Sequence, residues 1–104
     1  MARIIQHSFL IPEMVDYYRQ LHANPWPGVL EMIKKCNIRN YSISIRGTEL
    51  YSFFEYVGED YEKDMEKMAA DPVTQEWWKE TDPCFLYHDQ GVYYDDLEEI
   101  FYLA

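Results

Sequence analysis

Apolar and polar residues alternate loosely over residues 3–11, close to the start of the chain. This period of two is typical of a β-strand that has one face on a hydrophobic core. Pro12 cannot donate to a strand ladder, and beyond it the apolar and aromatic positions recur at helical spacing. The pattern therefore predicts a first strand over residues 3–11 and a first helix over residues 13–22.

The middle of the chain predicts a turn, a second helical segment and a β-hairpin. The Pro-Trp-Pro-Gly sequence at residues 25–28 cannot continue the first helix, because its two prolines lack the backbone donor, and a helical pattern resumes from Val29. Residues 40–46 then alternate with a clean period of two, and residues 50–57 have a second, aromatic-rich strand pattern. We expect these two strands to pair as a hairpin.

The last third of the chain predicts two more helical segments and a final strand. Residues 61–69 have the pattern of an amphipathic helix, and Asp71-Pro72 closes that helix and opens another. Residues 84–96 show no useful periodicity and are expected to form a loop. The pattern of residues 98–103 predicts the final strand.

The predicted order of strand, helix, strand, strand, helix, strand is that of a ferredoxin-like α+β fold, an antiparallel sheet with helices on one face. With 48% hydrophobic residues, a chain of 104 residues can build one core, so residues 1–104 are expected to form a single domain. One helical layer leaves the other sheet face bare. Apolar and aromatic residues on both faces of the strand at residues 50–57 therefore predict a homodimer, in which two sheets pack as a dimeric α+β barrel.

The net charge and the cysteine content limit which classes of partner and which cellular compartment are expected. The formal net charge of −10 would repel a phosphate backbone, which argues against nucleic acid as a partner. The two cysteines, Cys36 and Cys84, are not in a Cys-x-x-Cys motif, and we expect no secretory leader. Neither a disulfide framework nor a thiolate zinc site is therefore expected. No apolar run approaches the ~20 residues needed to cross a bilayer. We expect a cytoplasmic protein with no membrane partner.

Two groups of aromatic residues suggest a site for a small ligand such as a sugar. His22 follows Tyr18 by one helical turn and precedes the turn at Trp26, so an imidazole and a phenol share one helix face. Imidazole is the side chain that titrates nearest neutral pH. The adjacent Trp77 and Trp78 offer flat apolar platforms. Since helix neighbours point about 100° apart, we expect one indole to stack on the ligand and the other to lie in the core.

Each of these candidates has a structural alternative. His22 could instead cap the C-terminal end of the first helix, where a positive charge suits the helix dipole. Tyr41, at the start of a strand, could be a cross-strand packing residue. Trp26 is better suited to be a wall of the pocket, or a clamp on its turn, than a reacting group. His7 and His88 are assigned no role.

Several motifs stand in a fixed order along the chain: Tyr18 and His22, Trp26-Pro27, Asn40-Tyr41, Glu55, Asp71-Pro72-Val73, Trp77-Trp78 and Glu99-Ile100-Phe101-Tyr102-Leu103. In these motifs the chain resembles the L-rhamnose mutarotases, small dimeric α/β-barrel sugar isomerases, over nearly its whole length. It departs from many members at Leu21, where they have a basic residue, and at Gly28, where they have an acidic one.

The resemblance implies interconversion of the α and β anomers of L-rhamnose or a related 6-deoxyhexose. It implies His22 as the proton donor and, as substrate contacts, Tyr18, Tyr41, Trp77 and Trp78, with Trp26 beside them. Opening a pyranose requires one proton delivered to the ring oxygen and one removed from the anomeric hydroxyl. One group that titrates near neutral pH suffices for the first step, so no metal or organic cofactor is needed.

Two functions of other classes remain open from the residues alone. One is a non-catalytic ligand-binding or dimerisation module on the same fold, because fold does not fix function. The other is a cofactor-independent small monooxygenase, which would need an electron-rich aromatic substrate rather than a sugar. The combination of Tyr18 and His22 with Trp77-Trp78 favours the sugar enzyme, since a dimerisation module has no reason to combine them.

Overall fold

The computed structural model describes residues 1–86 and 94–104, so His88 and the rest of residues 87–93 lie outside the description. Within the described ranges, four strands form one antiparallel sheet in the spatial order β2-β3-β1-β4. Their bounds are Ala2–Phe9 for β1, Ile38–Arg46 for β2, Glu49–Tyr56 for β3 and Tyr94–Leu97 for β4. This strand order confirms the predicted ferredoxin-like α+β fold.

The helices come in two pairs that cover one face of the sheet. After a 3₁₀ turn at Pro12–Met14, the first pair is α1, Val15–Ala23, and α2, Pro27–Lys35. The second pair is α3, Tyr61–Ala70, and α4, Pro72–Thr81, which a 3₁₀ turn at Asp82–Cys84 follows. The predicted first helix, at residues 13–22, therefore begins later as an α-helix, because its first turn is 3₁₀.

Local residue chemistry explains where three of these helices begin. Proline occupies the first position of α2 and α4, where its missing N–H has no helical partner to lose. The Asp60 carboxylate accepts a hydrogen bond from the Lys63 backbone N–H at 3.2 Å, and Asp71 accepts one from the Thr74 N–H at 2.9 Å. These two aspartates are the N-caps of α3 and α4.

The core lies between the sheet and the helices. On β3, Leu50, Phe54 and Tyr56 are buried, whereas Tyr51 on the opposite face is 36% exposed. Leu50 packs in a buried cluster with Tyr18 and other residues beneath the helices. In the described part of the chain, none of the helices has the length and apolar character that crossing a membrane requires.

The predicted hairpin is confirmed with small shifts of its ends. β2 and β3 are joined through Gly47, whose φ of 62° lies in the left-handed region that glycine adopts without strain. Ile45 of β2 stands opposite Leu50 of β3, and both face the helices. The register then shifts between Arg39 and Ser42, which marks a β-bulge in β2.

The predicted final strand at residues 98–103 is wrong. The fourth strand is Tyr94–Leu97, which overlaps the end of the predicted loop at residues 84–96, and it pairs antiparallel with β1. Two consecutive aspartates give this segment little strand propensity. Backbone pairing with the edge of β1 offsets this low propensity. Asp96 Oδ1 also accepts a hydrogen bond from Gln6 Nε2 at 3.1 Å. A local pattern does not contain this long-range pairing.

Residues 98–104, which we call the C-terminal segment, have no regular structure and are held to β1 by Arg3. The Arg3 guanidinium donates to both carboxylate oxygens of Glu99, at 2.8 and 2.7 Å, and lies 3.2 Å from the centroid of the Tyr102 ring. This pairing with Arg3 lowers the pKa of Glu99 below its usual value. Apolar side chains of the same segment are left largely in solvent: Ile100, Phe101 and Leu103 are 90%, 79% and 80% exposed.

Candidate active site

A groove of about 690 Å³ opens between α2 and β2, a size within the ~300–1,000 Å³ range of small-molecule sites. A second groove of about 250 Å³ runs along α1, and the two share His22 and Ile43. Most of the larger groove's wall is apolar: Pro25, Val29, Leu30, Ile33, Ile38, Ile43 and Trp77. The polar side chains on it are His22, Lys34, Arg39, Asn40 and Tyr41.

His22 is held by its own helix in one orientation. Its Nδ1 lies 2.9 Å from the carbonyl oxygen of Tyr18, one turn earlier in α1. Because a carbonyl oxygen only accepts, Nδ1 must carry the hydrogen of this bond. Nε2 is then the ring nitrogen that can take up or release a proton.

His22 belongs to a chain of four aromatic side chains in contact, which we call the aromatic cluster: Tyr18, His22, Trp77 and Trp26. The Tyr18 ring stacks on the imidazole, with centroids 4.2 Å apart and planes at 30°. The imidazole meets Trp77 edge to face at 5.4 Å, and Trp26 meets Trp77 in the same way at 5.2 Å. The fold thus places the rings of these four residues in a chain of contacts, and their role as one site stays a prediction.

Tyr18 is buried, with 6% of its surface exposed. Burial raises the pKa of its phenol well above the usual value, and the electrostatic influence of Tyr41 raises it further. Tyr18 therefore stays a neutral phenol at physiological pH. A neutral phenol can donate a hydrogen bond but does not supply a base.

Tyr41 reaches the groove from the sheet side. It belongs to β2, lines the larger groove, is 44% exposed and lies with its ring 5.4 Å from that of Phe54. His22 on α1 and Tyr41 on β2 thus line the groove from the helix side and the sheet side. A ligand in the groove would lie between them.

The two adjacent tryptophans divide differently from the sequence expectation of one core indole and one ligand-facing indole. Trp77 is both, because it is only 7% exposed and also forms part of the groove wall. Trp78 is 36% exposed and is not among the residues that line either groove in the described part of the chain. The structure therefore places His22, Tyr41 and Trp77 on the larger groove. Tyr18 lies on the smaller groove against His22, Trp26 packs against Trp77, and Trp78 stays outside the described groove lining.

Gly28 has a packing reason to lack a side chain. A Cβ atom at this position would lie 3.0 Å from Cγ1 of Val73, so α2 and α4 approach closely only where a side chain is absent. The contact therefore lets α2, which carries Val29 and Ile33 of the groove wall, pack closely against α4, which carries Trp77.

Sequence reasoning missed most of the groove wall. Val29, Ile33 and Ile38 recur at spacings typical of a core, and nothing in the local pattern separates a groove wall from a core. His7 lies elsewhere, stacked on Tyr51 at 4.6 Å on the sheet face away from the helices. Within residues 1–86 and 94–104, no three or more His, Cys, Asp or Glu side chains are grouped to hold a metal ion.

Fold and site together define a class of protein: small ferredoxin-like α+β proteins with a ligand groove between the sheet and its helices, in which a histidine among aromatic rings can move protons. The sequence model described as L-rhamnose mutarotase matches residues 3–103. The chain belongs to the L-rhamnose mutarotase family.

Relatives and solved structures align over the full chain. The L-rhamnose mutarotase of Listeria monocytogenes is 30% identical over 105 residues and 100% of both chains, and that of Bacillus subtilis is 32% identical over 104 residues and 99% of each. The crystal structure of L-rhamnose mutarotase from Formosa agariphila has a TM-score of 0.79 at 20% identity, covering 100% of both chains. Tetracenomycin F2 cyclase from Streptomyces glaucescens, a type-II polyketide cyclase, has a TM-score of 0.70 at 11% identity and covers 100% of this chain and 98% of its own. These two structural likenesses concern the fold.

Proposed function

We propose that this protein is a cofactor-free aldose mutarotase that interconverts the α and β anomers of L-rhamnose or a related 6-deoxyhexose. The observation that supports it most is the geometry of His22, whose Nδ1 is bonded to the Tyr18 carbonyl while Nε2 is left for proton transfer beside an apolar groove. Relatives that carry the name L-rhamnose mutarotase over the whole chain support the same reaction. We also propose that residues 1–104 act as one domain.

The reaction follows from the chemistry of a cyclic hemiacetal. Protonated His22 donates its Nε2 proton to the ring oxygen while the bond from C1 to that oxygen breaks. The anomeric hydroxyl loses its proton to an acceptor in the open groove, and C1 becomes an aldehyde carbon. Rotation about the C1–C2 bond and closure by the reverse steps give the other anomer. Neither oxidation state nor atom count changes, so the cycle needs no co-reactant.

The other groove residues bind and orient the sugar in this proposal. Tyr18 packs on the imidazole and keeps its plane fixed, and Tyr41 donates its hydroxyl hydrogen to a sugar hydroxyl from the sheet side. Trp77 stacks on the apolar face of the sugar, and Trp26 supports the Trp77 ring by packing against it edge to face. Of the adjacent pair we assign stacking to Trp77, since Trp78 is outside the groove lining described above.

The apolar wall supports a deoxy sugar in particular. A hydroxymethyl group placed against Val29, Ile33 or Ile43 would lose hydrogen bonds to water without replacement, whereas a methyl group gains from the same contact. We therefore propose that the methyl group of L-rhamnose is what the groove selects. Metabolism of a free sugar and the two free, buried cysteines both support a cytoplasmic location, which we also propose.

L-Mannose provides a matched test, because it is L-rhamnose with a hydroxymethyl group in place of the methyl group. Saturation-transfer NMR measures exchange between the α and β anomers of each free sugar. We expect the protein to accelerate L-rhamnose exchange about tenfold or more over L-mannose exchange, the discrimination of one well-placed contact. Equal acceleration of both sugars would contradict methyl selection, and no acceleration of any free aldose would contradict the mutarotase proposal.

We also propose that the protein is a homodimer formed through the sheet face away from the helices. Cross-strand pairs put His7 with Tyr51 and Ile5 with Phe53 and Leu97 on that face. The C-terminal segment adds three apolar side chains, each at least 79% exposed. A soluble monomer rarely exposes a contiguous apolar patch of this kind unless the patch is an interaction surface. Two carboxylates on the same face have cationic neighbours, Arg46 for Glu49 and Arg3 for Glu55, which lowers the cost of burying them.

Two tyrosines of equal exposure test this interface. Light scattering at micromolar concentration should give about twice the 12.6 kDa mass of one chain. Tyr51→Lys puts a charge on the proposed interface and should shift the protein toward monomer. Tyr17→Lys is the control, because Tyr17 is 37% exposed against 36% for Tyr51 but lies on α1. A wild-type protein that is monomeric, or a Tyr17→Lys variant that dissociates as readily as Tyr51→Lys, would contradict the proposal.

A further inference from the structure

β2 contains one residue more than β3 where their register shifts. Arg39 and Ser42 keep partners in β3, and between those pairs two residues of β2, Asn40 and Tyr41, stand opposite one residue of β3, Phe54. This is the geometry of a β-bulge, which adds a residue to one strand and reverses the faces of all residues beyond it.

The bulge decides which side of the sheet Tyr41 faces. Ile38, before the bulge, is buried on the helix side with 3% exposure. Strict alternation from Ile38 would turn Tyr41 and Ile43 to the open face. With one extra residue, Ile43 and Ile45 pack against the buried cluster and Tyr41 lines the groove. Without the bulge, the sheet would present no tyrosine to the groove at this point.

Asn40 carries the features that hold the bulge in place. Its φ of 52° lies in the left-handed region, which asparagine tolerates far better than most residues that have a Cβ. Its side-chain amide Nδ2 donates to Glu55 Oε1 at 2.5 Å. Glu55 lies in β3, opposite Arg3 of the neighbouring strand β1, so its carboxylate faces a cation as well as the amide.

We infer that Asn40 and Glu55 form a positioning pair that holds Tyr41 in the groove. The pair acts through Tyr41 and takes no part in proton transfer. This inference rests on the proposed function, because it concerns the sugar contact that we assign to Tyr41. In this inference the position of Tyr41 in the groove depends on the β-bulge at Asn40 as well as on side-chain packing.

A double-mutant cycle tests the inference, because Asn40 itself reaches the groove wall and could touch the sugar directly. Asn40→Ala should lower kcat/KM for anomer exchange by about 10- to 100-fold, the cost of misplacing a contact by roughly 1 Å. In a Tyr41→Ala background nothing remains to be positioned, so adding Asn40→Ala should change kcat/KM by less than about twofold. Equal losses in both backgrounds would overturn the inference in favour of a direct contact.

Substitutions of Glu55 test the other member of the positioning pair. Glu55→Gln keeps an amide oxygen that accepts from Asn40, so it should retain most of kcat/KM. Glu55→Ala removes the acceptor and should resemble Asn40→Ala. A Glu55→Ala variant with wild-type kcat/KM would overturn the role of the pair.

Asn37 provides a matched control within the same chain. Its φ is 65° and its Nδ2 donates to Asp64 at 2.9 Å, yet it is not among the residues that line the described grooves. Asn37→Ala should lower the melting temperature about as much as Asn40→Ala does, because both lose a left-handed asparagine and a bond to a carboxylate. It should leave kcat/KM unchanged. An equal loss of kcat/KM in both variants would reduce Asn40 to a general stability role and overturn the inference.

A structural measurement separates this inference from the proposed function. In protein labelled with 3-fluorotyrosine, the Tyr41 fluorine signal is assigned by its absence in Tyr41→Phe. That signal should move in Asn40→Ala and stay in place in Asn37→Ala, whatever the protein catalyses. If it moves while no free sugar shows accelerated exchange, the positioning pair is supported and the proposed function is not. An unmoved signal would overturn the pair.

Discussion

His22→Ala is expected to fold normally and to lose anomer exchange on the order of 10²-fold or more, the usual contribution of a positioned acid or base. The reason is geometric: Nδ1 is occupied by the Tyr18 carbonyl, and the variant removes Nε2, the atom that we propose for proton transfer. The neighbouring Tyr18 cannot take over as a base, because burial raises the pKa of its phenol. Saturation-transfer NMR on L-rhamnose measures the loss, and thermal unfolding checks the fold.

Imidazole added to His22→Ala provides the control for this prediction. The substitution leaves a space beside Tyr18 and Trp77 that a free imidazole can enter. Partial recovery of exchange by imidazole, with no effect of imidazole on the wild-type rate beyond its effect in buffer, would show that the missing group is the proton donor. Unchanged exchange in His22→Ala itself would rule out the assignment.

Trp77→Ala is expected to have the largest effect on stability, lowering the free energy of unfolding by about 3–5 kcal/mol, as is usual for a buried tryptophan. Trp77 is 7% exposed and contacts both His22 and Trp26. The same variant should weaken sugar binding by roughly 1–3 kcal/mol, because the stacking surface is lost. Denaturant unfolding and calorimetric titration with L-rhamnose measure the two effects.

Trp78→Ala is the matched control, since it removes the same side chain from the next position of α4. Trp78 is 36% exposed and lies outside the groove lining, so both effects should stay below about 1 kcal/mol. Trp77→Phe separates the two roles of Trp77, because a smaller ring fills part of the core but covers less of the sugar. If Trp78→Ala weakens sugar binding more than Trp77→Phe does, the stacking role belongs to Trp78.

Much of the fold could be predicted because local chemistry and tertiary packing agree. Pro12, Pro27 and Pro72 mark element boundaries that the structure keeps, and the alternation at residues 40–46 is matched by Ile43 and Ile45 on the buried side. The spacing of Tyr18 and His22 predicted two side chains on one helix face, and their rings stack. A regular spacing of apolar residues shows which face of a helix or strand is buried, because the spacing repeats along the whole element.

The rest could not be predicted because it depends on partners far along the chain. β4 forms from a segment with two aspartates because β1 offers an unpaired edge, and no local pattern records that edge. The bulge at Asn40 shifts the alternation by one residue between Arg39 and Ser42. A strand predicted from residue 40 onward leaves out the buried Ile38, without which the shift cannot be seen. The groove wall looked like core because its residues are as apolar as a core.

We propose that this protein catalyses ring opening and closure of free L-rhamnose through His22. The most direct test is saturation transfer between the α and β anomeric proton signals of L-rhamnose, with and without a small molar fraction of the protein at neutral pH. We expect transfer far above the buffer rate with wild-type protein and a return to near the buffer rate with His22→Ala. Transfer at the buffer rate with folded wild-type protein would rule out the proposed activity.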